Sequence, residues 1–103
     1  MAEYIADARK RAPVHPGEML REDVLPNLGI SVAEFARRLH VSRQTVHSIL
    51  AEKTSISPEM ALRLGKFLGN GPELWLRMQL AHDLWERELA MAEELAEISA
   101  HAA

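Results

Sequence analysis

Val32, Phe35, Ala36 and Leu39 fall at i, i+3, i+4 and i+7, the spacing that lays one stripe of a half-buried helix against a core. Ser31 precedes the stripe and Glu34 follows three residues later, a capping-box signature for a helix start. The same period returns in four other places. "HPGEMLREDVLPNLG" sets Met19, Leu20 and Val24 on one stripe, with Pro26 and Gly29 expected to close the helix. Ser42 caps a segment whose inward residues are Val46, Ile49 and Leu50. "SPEMALRLGKFLG" opens on Ser57 as cap and Pro58 at the first helical position, carries Met60, Ala61, Leu64, Phe67 and Leu68 inward, and stops at Gly69. A fifth helix begins after Asn70–Gly71 with Pro72 at its first position and, meeting no breaker, is expected to run to about Ile98. No alternation of β-branched and aromatic residues reaches five, so the expectation is an all-α domain of five helices with a long last one.

The second and third helices are separated only by His40, Val41 and the capping Ser42. So short a link excludes a long antiparallel hairpin and suits the steep crossing of a helix-turn-helix unit, with the small Ala36 at the crossing. In such a unit the second helix enters the DNA major groove and its N-terminal residues meet base edges. Those residues are Arg43, Gln44, His47 and Ser48, with Thr45 beside them. Arg bonds guanine and Gln bonds adenine in bidentate geometry, which makes this set a candidate base reader. Ser42, Thr45, Lys53, Thr54 and Ser55 on one side, and Arg37 and Arg38 on the other, are candidates for gripping phosphates. A polar outer face is also what any solvated helix presents. Its coincidence with the short turn and the inward set Val32 to Ile49 is what points to DNA.

Charge changes the picture next. The whole chain carries a formal −3, which does not suggest nucleic acid. Residues 1–80 hold 11 Lys/Arg against 9 Asp/Glu, a balance of +2, while residues 81–103 hold 1 against 6, a balance of −5. An acidic tail therefore masks a mildly basic body. A length of 103 residues suits one domain with a real core. The absence of cysteine excludes disulfides and thiolate metal sites and fits a cytoplasmic protein. No apolar run approaches a membrane span, and the first residues lack the apolar stretch of a secretory signal. The five histidines show no metal-ligand spacing, and there is no Gly-rich phosphate loop or nucleophile elbow, so no enzyme, metal or cofactor is expected.

Three stretches, "HPGEMLREDVLPNLGIS", "FARRLHVSRQTVHSIL" and "SPEMALRLGKFLGNGPELWLRMQLAHDLW", resemble the HigA group of antitoxins within the repressor-like (Cro/C1-type) helix-turn-helix proteins. The likeness runs from His15 to Trp85, and the last stretch is its most specific part. It implies a five-helix repressor-like fold and a dimeric antitoxin that binds operator DNA, represses its own operon and neutralises an mRNA-cutting HigB-type toxin. The alternative is a free-standing repressor-like regulator with no toxin; a third reading is an interaction module that no longer binds DNA. Two positions depart from the group's pattern. His40 stands where glycine is common, and "AEK" (Ala51, Glu52, Lys53) replaces the usual "NGK", placing an acid near the phosphates.

Trp75 and Trp85 lie ten apart on the fifth helix, close to three turns, with Leu76, Leu80 and Leu84 in a neighbouring row. Trp75, Leu80, Leu84 and Trp85 are therefore candidates for a two-fold interface that sets two recognition helices about 34 Å apart. The competing reading packs this helix back on its own domain. The expected divisions are an N-terminal arm over 1–14, the DNA-binding domain over 15–85 and an acidic helical extension over 86–103, whose stripe is Leu84, Met91, Leu95 and Ile98.

Overall fold

A computed structural model describes residues 12–101; residues 1–11, which hold most of the expected N-terminal arm, and residues 102–103 lie outside the described residues. Helix α1 passes through three consecutive stretches, α-helical over Pro16–Met19, π-helical over Leu20–Val24 and α-helical again over Leu25–Leu28. It is followed by α2 (Val32–Leu39), α3 (Arg43–Leu50), α4 (Pro58–Leu68), α5 (Glu73–Ala90) and α6 (Ala92–Ala96). The described residues are thus all-helical, with six helices rather than five.

Two expectations are corrected at the ends of that series. Pro26 does not close α1. The backbone opens to five-residue bonding just before it (the Leu25 N–H donates to the Leu20 oxygen), giving the proline ring room that an α-helical carbonyl would deny it. Closure falls to Gly29 alone, left-handed at φ 66°. The wider turn also rotates the stripe, so that Leu20 and Leu25, five apart, are both buried, and Met19 and Val24 pack at the core's edge. At the other end, Pro72 precedes α5 as its cap, and α5 breaks at Met91 (φ −104°, ψ 11°) instead of running on to Ile98. Every residue from Glu86 to His101 is exposed, and none of them joins the core.

Leu20, Phe35, Leu64 and Trp75 are the most deeply buried large side chains, drawn from α1, α2, α4 and α5. Phe35 and Phe67 meet with ring centroids 5.9 Å apart. Val46, Ile49 and Leu50 bury the inner face of α3 against them. Burying a phenylalanine and a tryptophan this fully contributes several kcal/mol each, since cutting either to alanine in a core costs about 3–5 kcal/mol. Radius of gyration is 16.7 Å, above the ~13 Å of a compact 100-residue domain. The longest extent is 53 Å against 25 and 24 Å, and α5 alone is about 27 Å long.

Candidate nucleic-acid interface

The α2–α3 turn is closed by a pair of backbone bonds. The His40 N–H donates to the Arg37 oxygen (3.2 Å) and the Val41 N–H to that of Ala36 (3.0 Å), the Schellman pattern. His40 takes the left-handed conformation this needs, at φ 60°, where a non-glycine residue costs about 1–2 kcal/mol. Helix α3 ends the same way: Glu52 donates to Ile49 and Lys53 to Ser48, both at 2.9 Å, with Glu52 left-handed at φ 61°. Both departures noted in the sequence are therefore helix-closing residues.

Each of these ends is also capped by a distant arginine. Arg63 of α4 donates from Nη1 to the carbonyls of Leu39 (2.9 Å) and His40 (3.4 Å). Arg21 of α1 donates to the Leu50 carbonyl (2.5 Å) and approaches the Glu52 carboxylate at 3.4 Å. A guanidinium at a helix C-terminus satisfies carbonyls and complements the dipole. It also engages the Glu52 charge, and the bonds from Glu22 and Glu52 push the Arg21 pKa up. Gly17 completes the seat of α3: a Cβ there would stand 1.9 Å from the Ile49 carbonyl oxygen, so α1 rests directly on the α3 backbone. Neither arginine carries a sequence-local signal, because its partner lies 24 or 29 residues away.

At its start α3 is capped by Ser42, whose Oγ accepts from the Thr45 N–H at 3.1 Å and lies 2.9 Å from Thr45 Oγ1. The amides of Arg43 and Gln44 precede the first intrahelical bond and have no acceptor within the helix. Arg43, Gln44 and His47 are exposed and Ser48 is half-buried, and no side chain of the four is bonded to another described residue. Lys53, Thr54 and Ser55 are exposed beyond the helix end. The structure thus gathers the predicted base readers on one open face.

Arg38 stands differently. Its Nε donates to Glu34 (2.7 Å), and Arg37 bonds the same carboxylate through Nε and Nη2. The Arg37 bond, followed by that from Arg38, holds the Glu34 carboxyl down at about 2, and Glu34 in turn raises Arg37. Only half of the expected capping box therefore forms: Ser31 accepts from the Glu34 N–H at 3.1 Å, while the Glu34 side chain turns to the arginines.

The candidate dimer residues divide. Trp75 is 1% exposed, and its indole N–H donates to Asn70 (3.3 Å), so it belongs to the protein's own core and presents nothing to a partner; that expectation is corrected. Trp85 is half-buried, whereas Leu80 (60%) and Leu84 (54%) are exposed. Two buried polar residues, the cap of α1 and one in α5, were not among the expected site residues. Gln79 accepts from the Ile56 N–H at 2.8 Å and donates to Asp83 at 3.0 Å, tying the loop after α3 to α5. His15 accepts from the Gly17 N–H at 2.9 Å through Nδ1 and packs edge-on to His82, its centroid 4.8 Å away. Burial, ahead of the charge on His82, lowers its pKa below 6.5. Together with Glu52, Asp83 and Glu86 these residues line a polar groove of about 770 Å³. Among the described residues no group of His, Cys, Asp or Glu could hold a metal ion, and no helix is long and apolar enough to cross a membrane.

Residues 20–76, from α1 into α5, match the helix-turn-helix family. Virulence-associated protein I of Dichelobacter nodosus is 42% identical over 71 residues, 69% of this chain, which spans 66% of that protein's length. Antitoxin HigA-1 of Vibrio cholerae serotype O1 is 39% identical over 85 residues, covering 82% of this chain and 80% of that one. The Pseudomonas aeruginosa antitoxin HigA, solved with the higBA promoter, superposes with a TM-score of 0.83 at 36% identity over 87% of this chain and 99% of that one. The chain belongs to the HigA-type antitoxins, within the helix-turn-helix proteins.

Proposed function

We propose that this protein is an operator-binding antitoxin that works as a dimer in the cytoplasm, represses its own operon and neutralises a HigB-type mRNA-cleaving toxin. Helix α3 is its recognition helix: Arg43, Gln44, His47 and Ser48 read bases. Lys53 and Ser55 hold phosphates, joined by Ser42, Thr45 and the amides of the α3 first turn, and by Arg38, whose charge is partly taken up by Glu34. Leu80, Leu84 and Trp85 of α5 form the two-fold contact, residues 15–85 the DNA-binding unit and 86–103 a separate extension.

The observation that carries this reading is a polar face with no bonding partner among the described residues, on a helix pinned from both ends. A merely solvated face has no need of so fixed a seat. The solved HigA relative with its promoter supports it. Fluorescence anisotropy against the DNA upstream of the protein's own gene tests it. Arg43→Ala should cost about 1–3 kcal/mol and relax preference at one base pair; equal loss on every sequence would make Arg43 a phosphate contact. A pull-down from the native host should return a stoichiometric small toxin. Recovery of the homodimer alone, still bound specifically to its DNA, would leave a free-standing regulator.

A further inference from the structure

The imidazole of His15 lies one residue away from the backbone of the recognition helix, and nothing in the operator-binding reading assigns it a part. His15 is the cap of α1 and only 4% exposed, with extended backbone at φ −69° and ψ 138°. Pro16 has no N–H, so the amide of Gly17 is the first donor of α1, and His15 Nδ1 accepts from it at 2.9 Å. Gly17 is also the residue that seats α3. A Cβ there would lie 3.1 Å from His15 Nδ1 and 1.9 Å from the Ile49 oxygen, so a single glycine separates the ring from the end of the α3 backbone. Arg21, one turn further along α1, caps the same end of α3 through the Leu50 carbonyl.

The hydrogen bonds fix where this ring carries its proton. An imidazole nitrogen that accepts an N–H bears no proton, so neutral His15 is protonated on Nε2. Nε2 faces Gln79 Nε2 at 3.5 Å, and Gln79 is locked as a donor on that side, its oxygen on the Ile56 N–H and its nitrogen on Asp83. A second proton can therefore enter only at Nδ1, where it opposes the Gly17 N–H across 2.9 Å. Two donors then face each other, and the cap of α1 is lost. Around the ring stand His82, Asp83, Glu86 and Arg87 of α5, Glu52 and Lys53 after α3, and Glu18 of α1. Burial, the largest influence, and a charge on His82 oppose the charged ring, while Glu52, Asp83 and Glu86 favour it; the balance lowers its pKa below 6.5.

We propose that His15 is a positioning residue for the reading of the operator and makes that reading sensitive to protons: its neutral ring holds α1 against the end of α3, and its protonated ring releases that seat. This role rests on the operator-binding reading of α3. Its sign is one that simple charge attraction does not give. Acidification adds positive charge, and on a DNA-facing histidine such as His47 that charge strengthens attachment to phosphates. A loss of affinity on acidification therefore reports a change in the seat of α3.

Fluorescence anisotropy of the full chain against a duplex from upstream of its own gene, read from about pH 7.5 down to about pH 5, tests the coupling. The comparison is His15→Asn, since asparagine keeps an oxygen for the Gly17 N–H and takes up no proton in this range. Affinity of the unaltered chain should fall about fivefold, the equilibrium equivalent of a lost helix cap, with circular dichroism showing the fold intact. His15→Asn should lose none of its affinity over the same interval. Constant or rising affinity in the unaltered chain, or an equal fall in both proteins, would overturn the proposal. Should His15→Asn not fold, nuclear magnetic resonance of the unaltered chain decides instead. The His15 ring and the amides of Gly17, Ile49 and Leu50 should then titrate with one midpoint, and amides that stay still while the ring titrates would refute the coupling. Absence of specific binding to this duplex at about pH 7.5 would remove the operator reading, while the shared titration would still decide whether His15 acts on α3.

Discussion

Gly17→Ala places the smallest possible side chain where α1 meets α3. Its Cβ would lie 1.9 Å from the Ile49 oxygen, and ordinary contact starts near 3.4 Å, so the two helices must part by about 1.5 Å. Overpacking of this kind costs about 1–3 kcal/mol. The same movement stretches the Arg21–Leu50 bond from 2.5 Å beyond hydrogen-bonding range, and a bond to a charged donor contributes about 1.5–3 kcal/mol. Against this, alanine has the better helix propensity by up to about 1 kcal/mol. The net loss is about 1.5–6 kcal/mol, or upward of roughly 6 °C in melting temperature for a domain of this size. Thermal and urea unfolding at one fixed protein concentration measure it, because the stability of the proposed dimer would depend on concentration. Operator affinity should fall beyond the loss of folded protein, since α3 loses its seat. A variant melting within about 3 °C of the original, with the same urea midpoint, would show that α1 does not rest on the α3 backbone.

Gln79→Ala leaves the buried Ile56 N–H without an acceptor and should cost about 1–3 kcal/mol in urea unfolding; Gln79→Glu, which keeps an acceptor but faces Asp83, should not fully restore it. Since burial lowers the His15 pKa, the unfolded chain takes up this proton first. Its contribution to stability is full above pH 6.5 and is lost as pH falls through the lower folded value, a dependence that His15→Asn should flatten in unfolding titrations from pH 5 to 8. Glu34→Gln frees Arg37 and Arg38, so operator affinity should rise and its salt dependence steepen by about one to two phosphate contacts. The stabilisation that the Glu34 carboxylate draws from these arginines is present above pH 4.5 and disappears as pH falls toward about 2.

What the sequence made legible is what is written within four residues. Ser31, Ser42 and Ser57 each cap the helix they were expected to cap, and the inward sets of α2, α3 and α4 are the buried or core-edge ones. The open face of α3 followed from the same logic, because fixing Val46, Ile49 and Leu50 inward leaves Arg43, Gln44 and His47 outward. What escaped depends on distance or on tertiary packing. The caps from Arg21 and Arg63 join residues that only the folded chain brings together. The π turn before Pro26 is a compromise between a ring that cannot be accommodated and a core that demands Leu25. Trp75 could not be assigned to core or interface from spacing alone, since both ask for a large apolar residue on a helix. The break at Met91 carries no sequence signal at all, for neither glycine nor proline lies near it.

Among the described residues, Arg43, Gln44 and His47 form no side-chain bond on which the fold depends. The stability of α3 comes instead from Ser42, Gly17, Arg21 and its buried face. On the proposed reading, words can therefore be exchanged at those three positions without rewriting the grammar that folds the chain. Duplicated copies of such a gene are free to drift toward separate operators within one cell, each insulated from the other's promoter, while every copy keeps the same scaffold. The same independence makes this face a place to install a new operator preference by choice.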